Sequence, residues 1–236
     1  MCGRVFVKST ISDMVLRFEF AHPGEVDRLS NRFPVWNGRP ADVYPIIIRE
    51  ELSTSMAGFV SAKWGLVPGW ARDGGGRPPP VNARCETIAT NGMFRKAYAS
   101  RRCLVPVDGY FEWQKLDTSG KKKQPYAIAM KSGEPFAMAG IWEEYADNVT
   151  GELIRTFAIA TCEPNDLMAT IRDRMPVILA PEDYMRWLGP ELDPRNLLKP
   201  YPSDLMTIWP IAYVGTRNRP DIIDEIGIGP SDLFDL

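Results

Sequence analysis

The feature that most constrains this chain is its punctuation. Short apolar runs, "CLVPVDGYFEW", "PYAIAM", "FAMAGIW", "RTFAIAT" and "LMTIWPIAYV", are cut apart by glycine, proline and small polar residues. Runs of this length, rich in β-branched and aromatic side chains, predict strands. "ADVYPIII" reads as a further extended segment, and "MAGFVSAKWGLVPGW" as a strand followed by a loop. The breaker "KSGEP" joins "PYAIAM" to "FAMAGIW" and predicts a hairpin, and "KLDTSGKKKQP" separates "CLVPVDGYFEW" from "PYAIAM". Between Trp70 and Asn82, "ARDGGGRPPPV" forbids regular structure and predicts a mobile surface loop. Helices are few and short. Ile11, Met14, Val15 and Phe18 fall at helical spacing behind a Thr/Ser cap, and "PNDLMATI" and "PEDYMRWL" read as helical patches, with Pro181 suited to a first turn. No repeat, low-complexity tract or long linker divides the chain. The expected fold is one α+β domain over residues 1–236, a curved, mixed or antiparallel, barrel-like sheet flanked by short helices.

Length and composition, 236 residues with 44% apolar and 25% charged, are those of a globular chain able to bury a core without staples. The formal net charge of −2 argues against a uniformly basic nucleic-acid coat, but the charge is unevenly spread. From Lys63 to Lys123 there are twelve Lys/Arg against five acids, whereas beyond Tyr201 six acids face only Arg217 and Arg219. An anionic partner would be drawn to the middle of the chain; the plain alternative is a solvated charged face. Cys2, Cys85, Cys103 and Cys162 include no C-x-x-C, and His22 is the single histidine, so no metal site and no cofactor are expected. Neither a signal-peptide core nor a membrane span is present. A reducing, cytoplasmic compartment, free thiols and a monomer are the simplest expectations.

The opening "MCGR" raises a chemical question. Removal of Met1 would leave Cys2 with a free thiol and a free α-amine, whose ordinary pKa values are about 8.5 and about 7.7 to 8.0. An aldehyde can form a Schiff base with such a 1,2-aminothiol and close to a thiazolidine. The alternative is a terminal cysteine that packs as a small hydrophobe. Four stretches place polar residues where strands or loops end: "MCGR", "WGLVPGW" leading to "VNARCET", "RCLVPVDGYFEW" and "TCEPNDLMATIRDRMPVIL". In the third, Glu112 stands between Phe111 and Trp113, a setting suited to acid–base chemistry, or simply an outward-facing strand residue.

The order Cys2-Gly3-Arg4, Trp64-Gly65-Leu66 with Trp70, Asn82-Ala83-Arg84 with Glu86-Thr87, Arg102 to Pro106 with Gly109 to Trp113, and Asp173-Arg174-Met175-Pro176 resembles the SRAP family of SOS-response-associated, abasic-site-processing proteins, also labelled peptidases. The resemblance runs from Cys2 to about Trp187, with a weaker tail through "VGTRNRPDIIDEI". It implies loss of Met1 and capture by Cys2 of the aldehyde of an abasic site in single-stranded DNA, as a thiazolidine crosslink. It also implies that Asn82 hydrogen-bonds near the adduct and that Glu112 shuttles protons. Arg4, Arg84 and Thr161 match DNA-contacting positions, and Trp70 matches an aromatic that wedges or stacks beside the lesion, with core packing as the alternative for Trp70.

Two departures matter. Where the family usually reads Ile-His-Asp-Arg-Met-Pro, this chain reads Ile171-Arg172-Asp173-Arg174-Met175-Pro176. Arginine stays charged and does not cycle a proton at cellular pH, so Arg172 is expected to retain DNA binding while proton transfer for ring opening and β-elimination slows. In "NRFPVWNGRP", Pro40 is matched to a family wedge proline, with its neighbouring contacts left open. Two other functions compete with a DNA–protein crosslinking enzyme. One is an N-terminal-nucleophile cysteine peptidase, at its most modest removing its own Met1; the other is a non-catalytic binder of single-stranded DNA.

Overall fold

The runs and breakers resolve into fourteen strands and four short α-helices within the residues that the structure, a computed structural model, describes: 2–49, 56–71 and 78–227. The chain opens with β1 (Val5–Val7) and α1 (Ile11–Arg17). Thr10 caps α1 reciprocally with Asp13, the two-sided arrangement that satisfies otherwise orphaned backbone donors, and Ile11 and Met14 face the core. Next come β2 (Ala21–His22), a 3₁₀ turn over Val26–Arg32, β3 (Val35–Gly38), β4 (Val43–Arg49), β5 (Ala57–Trp64) and β6 (Asn82–Arg84). After α2 (Arg95–Ser100) follow β7 (Arg102–Val107), β8 (Gly109–Lys115), β9 (Lys123–Met130), β10 (Phe136–Ala146) and β11 (Leu153–Cys162). The rest comprises α3 (Asp166–Ala169), β12 (Met175–Pro176), β13 (Ile178–Leu179), α4 (Tyr184–Leu188) and β14 (Met206–Pro210). As expected, Asn165 caps α3 and Pro181 begins the turn that leads into α4.

A ring of pairings makes the larger sheet barrel-like. β4 pairs with β5 and β7, β7 with β10, and β10 with β11, all antiparallel, and β11 returns to β5 in parallel at Thr156↔Lys63 and Phe157↔Trp64. Closure removes the exposed edges that an open sheet would present. The ring's two faces are both covered: Ile46, Leu104, Val105, Ala139, Ile141 and Phe157 are all 2% exposed or less. Beyond the ring, β11 continues with β6 parallel on one flank and β12 antiparallel on the other, so "VNAR" and "DRMP", far apart in sequence, border the same strand end.

The second sheet runs β14-β9-β8-β1-β3. Here the apolar run "CLVPVDGYFEW" divides, since β7 belongs to the barrel and β8 to the second sheet. Asp108 at the break is buried and accepts hydrogen bonds from the Ser9 backbone N–H (2.9 Å) and hydroxyl (2.8 Å). Gly109 permits the crossing, because a Cβ there would lie 2.1 Å from Cζ of Phe6.

The expected hairpin of "PYAIAM" with "FAMAGIW" does not form. β9 pairs with β8, from Gly109↔Ala129 to Lys115↔Lys123, and with β14, whereas β10 joins the barrel. The loop at "KLDTSGKK" is the true hairpin turn, and "KSGEP" carries the chain between sheets. A turn signature marks a change of direction but does not encode which sheet receives the next strand. Of the expected loop between Trp70 and Asn82, residues 72–77, with Arg72 and Arg77, lie outside the described residues, as do Met1, Asp232 and Asp235. Among the described residues no helix is long and apolar enough to cross a membrane.

Candidate active site

Strand register builds the site. Val5 opposes Tyr110, Phe6 opposes Gly109, and the Phe111 N–H donates to the Arg4 carbonyl at 3.0 Å. Continuing that register sets Gly3 level with Glu112, one residue from Cys2. Side chains alternate along a strand, so Tyr110 and Glu112 share one face of β8 while Phe111 and Trp113 occupy the other. Phe111 packs with Phe6, ring centroids 5.3 Å apart, in a satellite cluster that includes Ile211, Val214 and Ile222. The aromatic residues that flank Glu112 in sequence are therefore on the far side of the sheet, and its aromatic neighbours on the same face are Tyr110 along β8 and Tyr126, paired opposite it on β9. Glu112 is 1% exposed, which excludes the outward-facing alternative.

Cys2 is fully buried in the chain that carries Met1. Burial, and secondly the charge of Glu112, push its thiol well above the ordinary range, against a smaller lowering effect of a hydrogen bond from the Arg4 backbone. Asn82, at the start of β6, donates from Nδ2 to the Cys2 carbonyl at 2.8 Å. Its Oδ1 is buried and has no hydrogen-bond partner among the described residues. Arg172 donates from Nε to Glu112 Oε2 at 3.0 Å. Cys2, Asn82, Glu112 and Arg172 thus converge from β1's leading edge, β6, β8 and the loop after α3.

Two residues on, Arg174 forms a bidentate pair with Glu86, both contacts at 2.9 Å, and donates to the Thr161 carbonyl at 2.6 Å. The guanidinium holds the Glu86 carboxyl down at about 2. Thr161, expected to contact DNA, is fully buried in β11 between β6 and β12, so the fold does not bring its side chain to the surface. Arg84 is exposed at the end of β6. Trp70 is 66% exposed, which excludes the core-packing alternative. Pro40 lines a cavity of about 650 Å³ with Trp64, Pro79, Val81 and Tyr145.

Arg4 donates through Nη1 to Asn37 Oδ1 and to the Gly215 carbonyl. Burial and the nearby charge of Arg39 lower its pKa. Sequence patterns did not single out Asn37, Tyr110 or Asn218. Tyr110 is wholly buried, its hydroxyl has no hydrogen-bond partner among the described residues, and burial followed by the charge of Cys2 and Glu112 pushes its pKa up. An unpartnered buried hydroxyl is a costly feature. The available signal was the alternation Tyr110/Glu112 within "GYFEW", which is readable only once the buried face of β8 is known. Among the described residues no group of three or more His, Cys, Asp or Glu side chains could hold a metal ion. The chemistry on offer is that of a thiol at the second residue, a buried carboxylate, a carboxamide oxygen and a fixed cation.

The sequence model of the family described as SOS response associated peptidase (SRAP) matches residues 1–215. Abasic site processing protein YoqW of Bacillus subtilis is 35% identical over 235 residues, covering 95% of this chain and 100% of the relative. Abasic site processing protein HMCES of Xenopus tropicalis is 26% identical over 221 residues, covering 79% and 63%. A crystal structure of a protein from Bacteroides thetaiotaomicron superposes with a TM-score of 0.84 at 30% identity, covering 95% of this chain and all of that one. The chain belongs to the SRAP family.

Proposed function

We propose that this protein processes abasic sites in single-stranded DNA through a covalent bond to Cys2, made after Met1 has been removed. The observation that carries the proposal is the convergence at Cys2: Asn82 Nδ2 lies 2.8 Å from its carbonyl, and the Glu112–Arg172 pair packs beside it. The relatives named abasic site processing proteins support it.

In this mechanism the Cys2 α-amine adds to the aldehyde carbon of the opened deoxyribose, giving a carbinolamine that loses water to a Schiff base. The Cys2 sulfur then adds to the imine carbon and closes a five-membered thiazolidine, so aldehyde and aminothiol become ring and water. The thiol must give up its proton as the C–S bond forms, and Glu112 is the carboxylate placed to take it. Asn82 Oδ1 is free to accept from the amine or a sugar hydroxyl. Arg172 orients Glu112 and supplies a fixed positive charge for a phosphate or a developing oxyanion. Since it exchanges no proton, ring opening and β-elimination run more slowly than they would with histidine, by roughly 10² to 10⁴. Arg4, Arg84 and Trp70 act as strand contacts. The single histidine, His22, has its ring against Gly58 on the β2–β5 pair and lends no support to a Cys–His peptidase.

The test is denaturing electrophoresis of the protein with a single-stranded oligonucleotide carrying one abasic site, alongside Cys2→Ala and Arg172→His. A covalent band lost in Cys2→Ala and formed faster in Arg172→His is expected. A band that persists in Cys2→Ala, or none from either the natural chain or Arg172→His, overturns the proposal.

A further inference from the structure

The segment after β14 packs against β3, and its contacts converge on Arg4. Asn218 Oδ1 accepts the backbone N–H groups of Trp36 (2.8 Å) and Asn37 (2.9 Å). Asn37, itself buried, donates from Nδ2 to the Arg217 carbonyl at 2.5 Å and to the Gly215 carbonyl at 3.4 Å, while its Oδ1 accepts from Arg4. Arg4 also reaches the Gly215 carbonyl at 3.4 Å. The guanidinium is therefore held by an asparagine and a carbonyl that the C-terminal segment itself keeps in place.

The same segment presents an aromatic ring. Tyr213 is 77% exposed, and its electrostatic influence reaches Arg4. Its ring lies over Gly215, where a Cβ would come within 3.3 Å of Cε1, and Gly215 has a φ of +56°, in the left-handed region that favours glycine. Arg217 donates to the Tyr213 carbonyl and fixes that turn. Beside Arg4 opens a cleft of about 410 Å³ lined by Arg32, Asn37, Arg39, Asp42, Tyr44 and Asn218, in which two arginines face one acid. A clamped guanidinium, a cationic cleft and an exposed ring on one face complement the alternation of phosphate and base along a single strand.

We propose that Tyr213 is a stacking platform for a nucleobase of single-stranded DNA, next to a backbone phosphate bound by Arg4, and that Asn37 and Asn218 are positioning residues for that arginine. This subsite rests on the DNA-processing function proposed above and extends it to a segment that runs past residue 215, where the family match ends. The strand therefore continues from Cys2 across β1 onto the C-terminal segment.

Fluorescence anisotropy with an undamaged, labelled single-stranded oligonucleotide tests this without any covalent step. The variants are Tyr213→Ala, Tyr213→Phe and Asn218→Ala, with Arg4→Ala for comparison, each measured across a salt series after its melting temperature is checked. Tyr213→Ala is expected to weaken binding roughly tenfold at every salt concentration, with Tyr213→Phe restoring it, because stacking requires the ring and not the hydroxyl. Asn218→Ala is expected to weaken binding and to lower the salt slope by about one phosphate contact, as Arg4→Ala does. A natural chain that binds while Tyr213→Ala and Asn218→Ala match it in affinity and slope overturns this subsite alone. A natural chain with no affinity for the oligonucleotide overturns the subsite and the DNA-processing function together.

Discussion

Arg172 and Arg174 stand two residues apart in one loop, and each ends on a carboxylate, yet one carboxylate is buried and the other half-exposed. Arg172 makes one 3.0 Å contact to Glu112, which is 1% exposed, whereas Arg174 grips Glu86, 51% exposed, through two contacts. With Glu86 half-exposed the ion pair itself contributes little to stability, and what Arg174 adds is geometry: it ties the end of β6 to the Thr161 carbonyl of β11. In the interior, the charge of Glu112 is tolerable only with a cation and hydrogen bonds at hand. From one loop, Arg172 holds the buried carboxylate beside the reacting residues, and Arg174, its own side chain 14% exposed, fastens the frame around them.

The sharpest way to break this comparison is to remove each arginine. Arg172→Ala should cost about 3 kcal/mol, because it withdraws the cation from a buried carboxylate. Urea unfolding measures this, and a loss no larger than that of Arg174→Ala would erase the distinction. Arg174→Ala should cost about 1–2 kcal/mol, most of it from the hydrogen bond to the buried Thr161 carbonyl. Glu86→Gln alone should therefore be milder than Arg174→Ala in the same measurement.

The smallest effect is in the acid limb. Glu86 has its pKa lowered from the ordinary 4.5 to about 2, first by its hydrogen bonds to Arg174. A carboxyl with a lower pKa folded than unfolded contributes stability that is complete above about pH 4.5 and is lost as the pH falls towards 2. Half-exposed as it is, its share is about 1 kcal/mol or less. Stability followed from pH 5 to pH 2 should fall less steeply in Glu86→Gln than in the natural chain, and parallel curves would show that the Glu86–Arg174 pair has no part in acid unfolding.

Local signals proved readable where local physics decides. Thr10 and Asp13 cap α1 from three residues apart, and Asn165 caps α3, because those hydrogen bonds close within one turn. Strand character was legible in "RTFAIAT" and "ADVYPIII" from side-chain type alone. The partner of β9 was not, since pairing depends on which apolar faces meet, and both β8 and β10 present apolar faces. The aromatic setting of Glu112 was misread for a related reason: neighbours in an extended chain point to opposite sides of the sheet.

By itself the sequence determined that the chain would be short strands with few helices, and it marked Cys2 and Glu112 as residues with chemistry to offer, with Asn82 and Arg172 added by the family resemblance. Side-chain type and turn chemistry act over a few residues, which is why one string of letters carries them. Only the tertiary structure decided that Arg172 pairs with Glu112 across 60 positions, that Thr161 is buried, that Trp70 is exposed, and that Asn218 reaches back to the strand beside Arg4. Those facts follow from barrel closure and strand register, where a shift of one residue would turn every side chain to the other face.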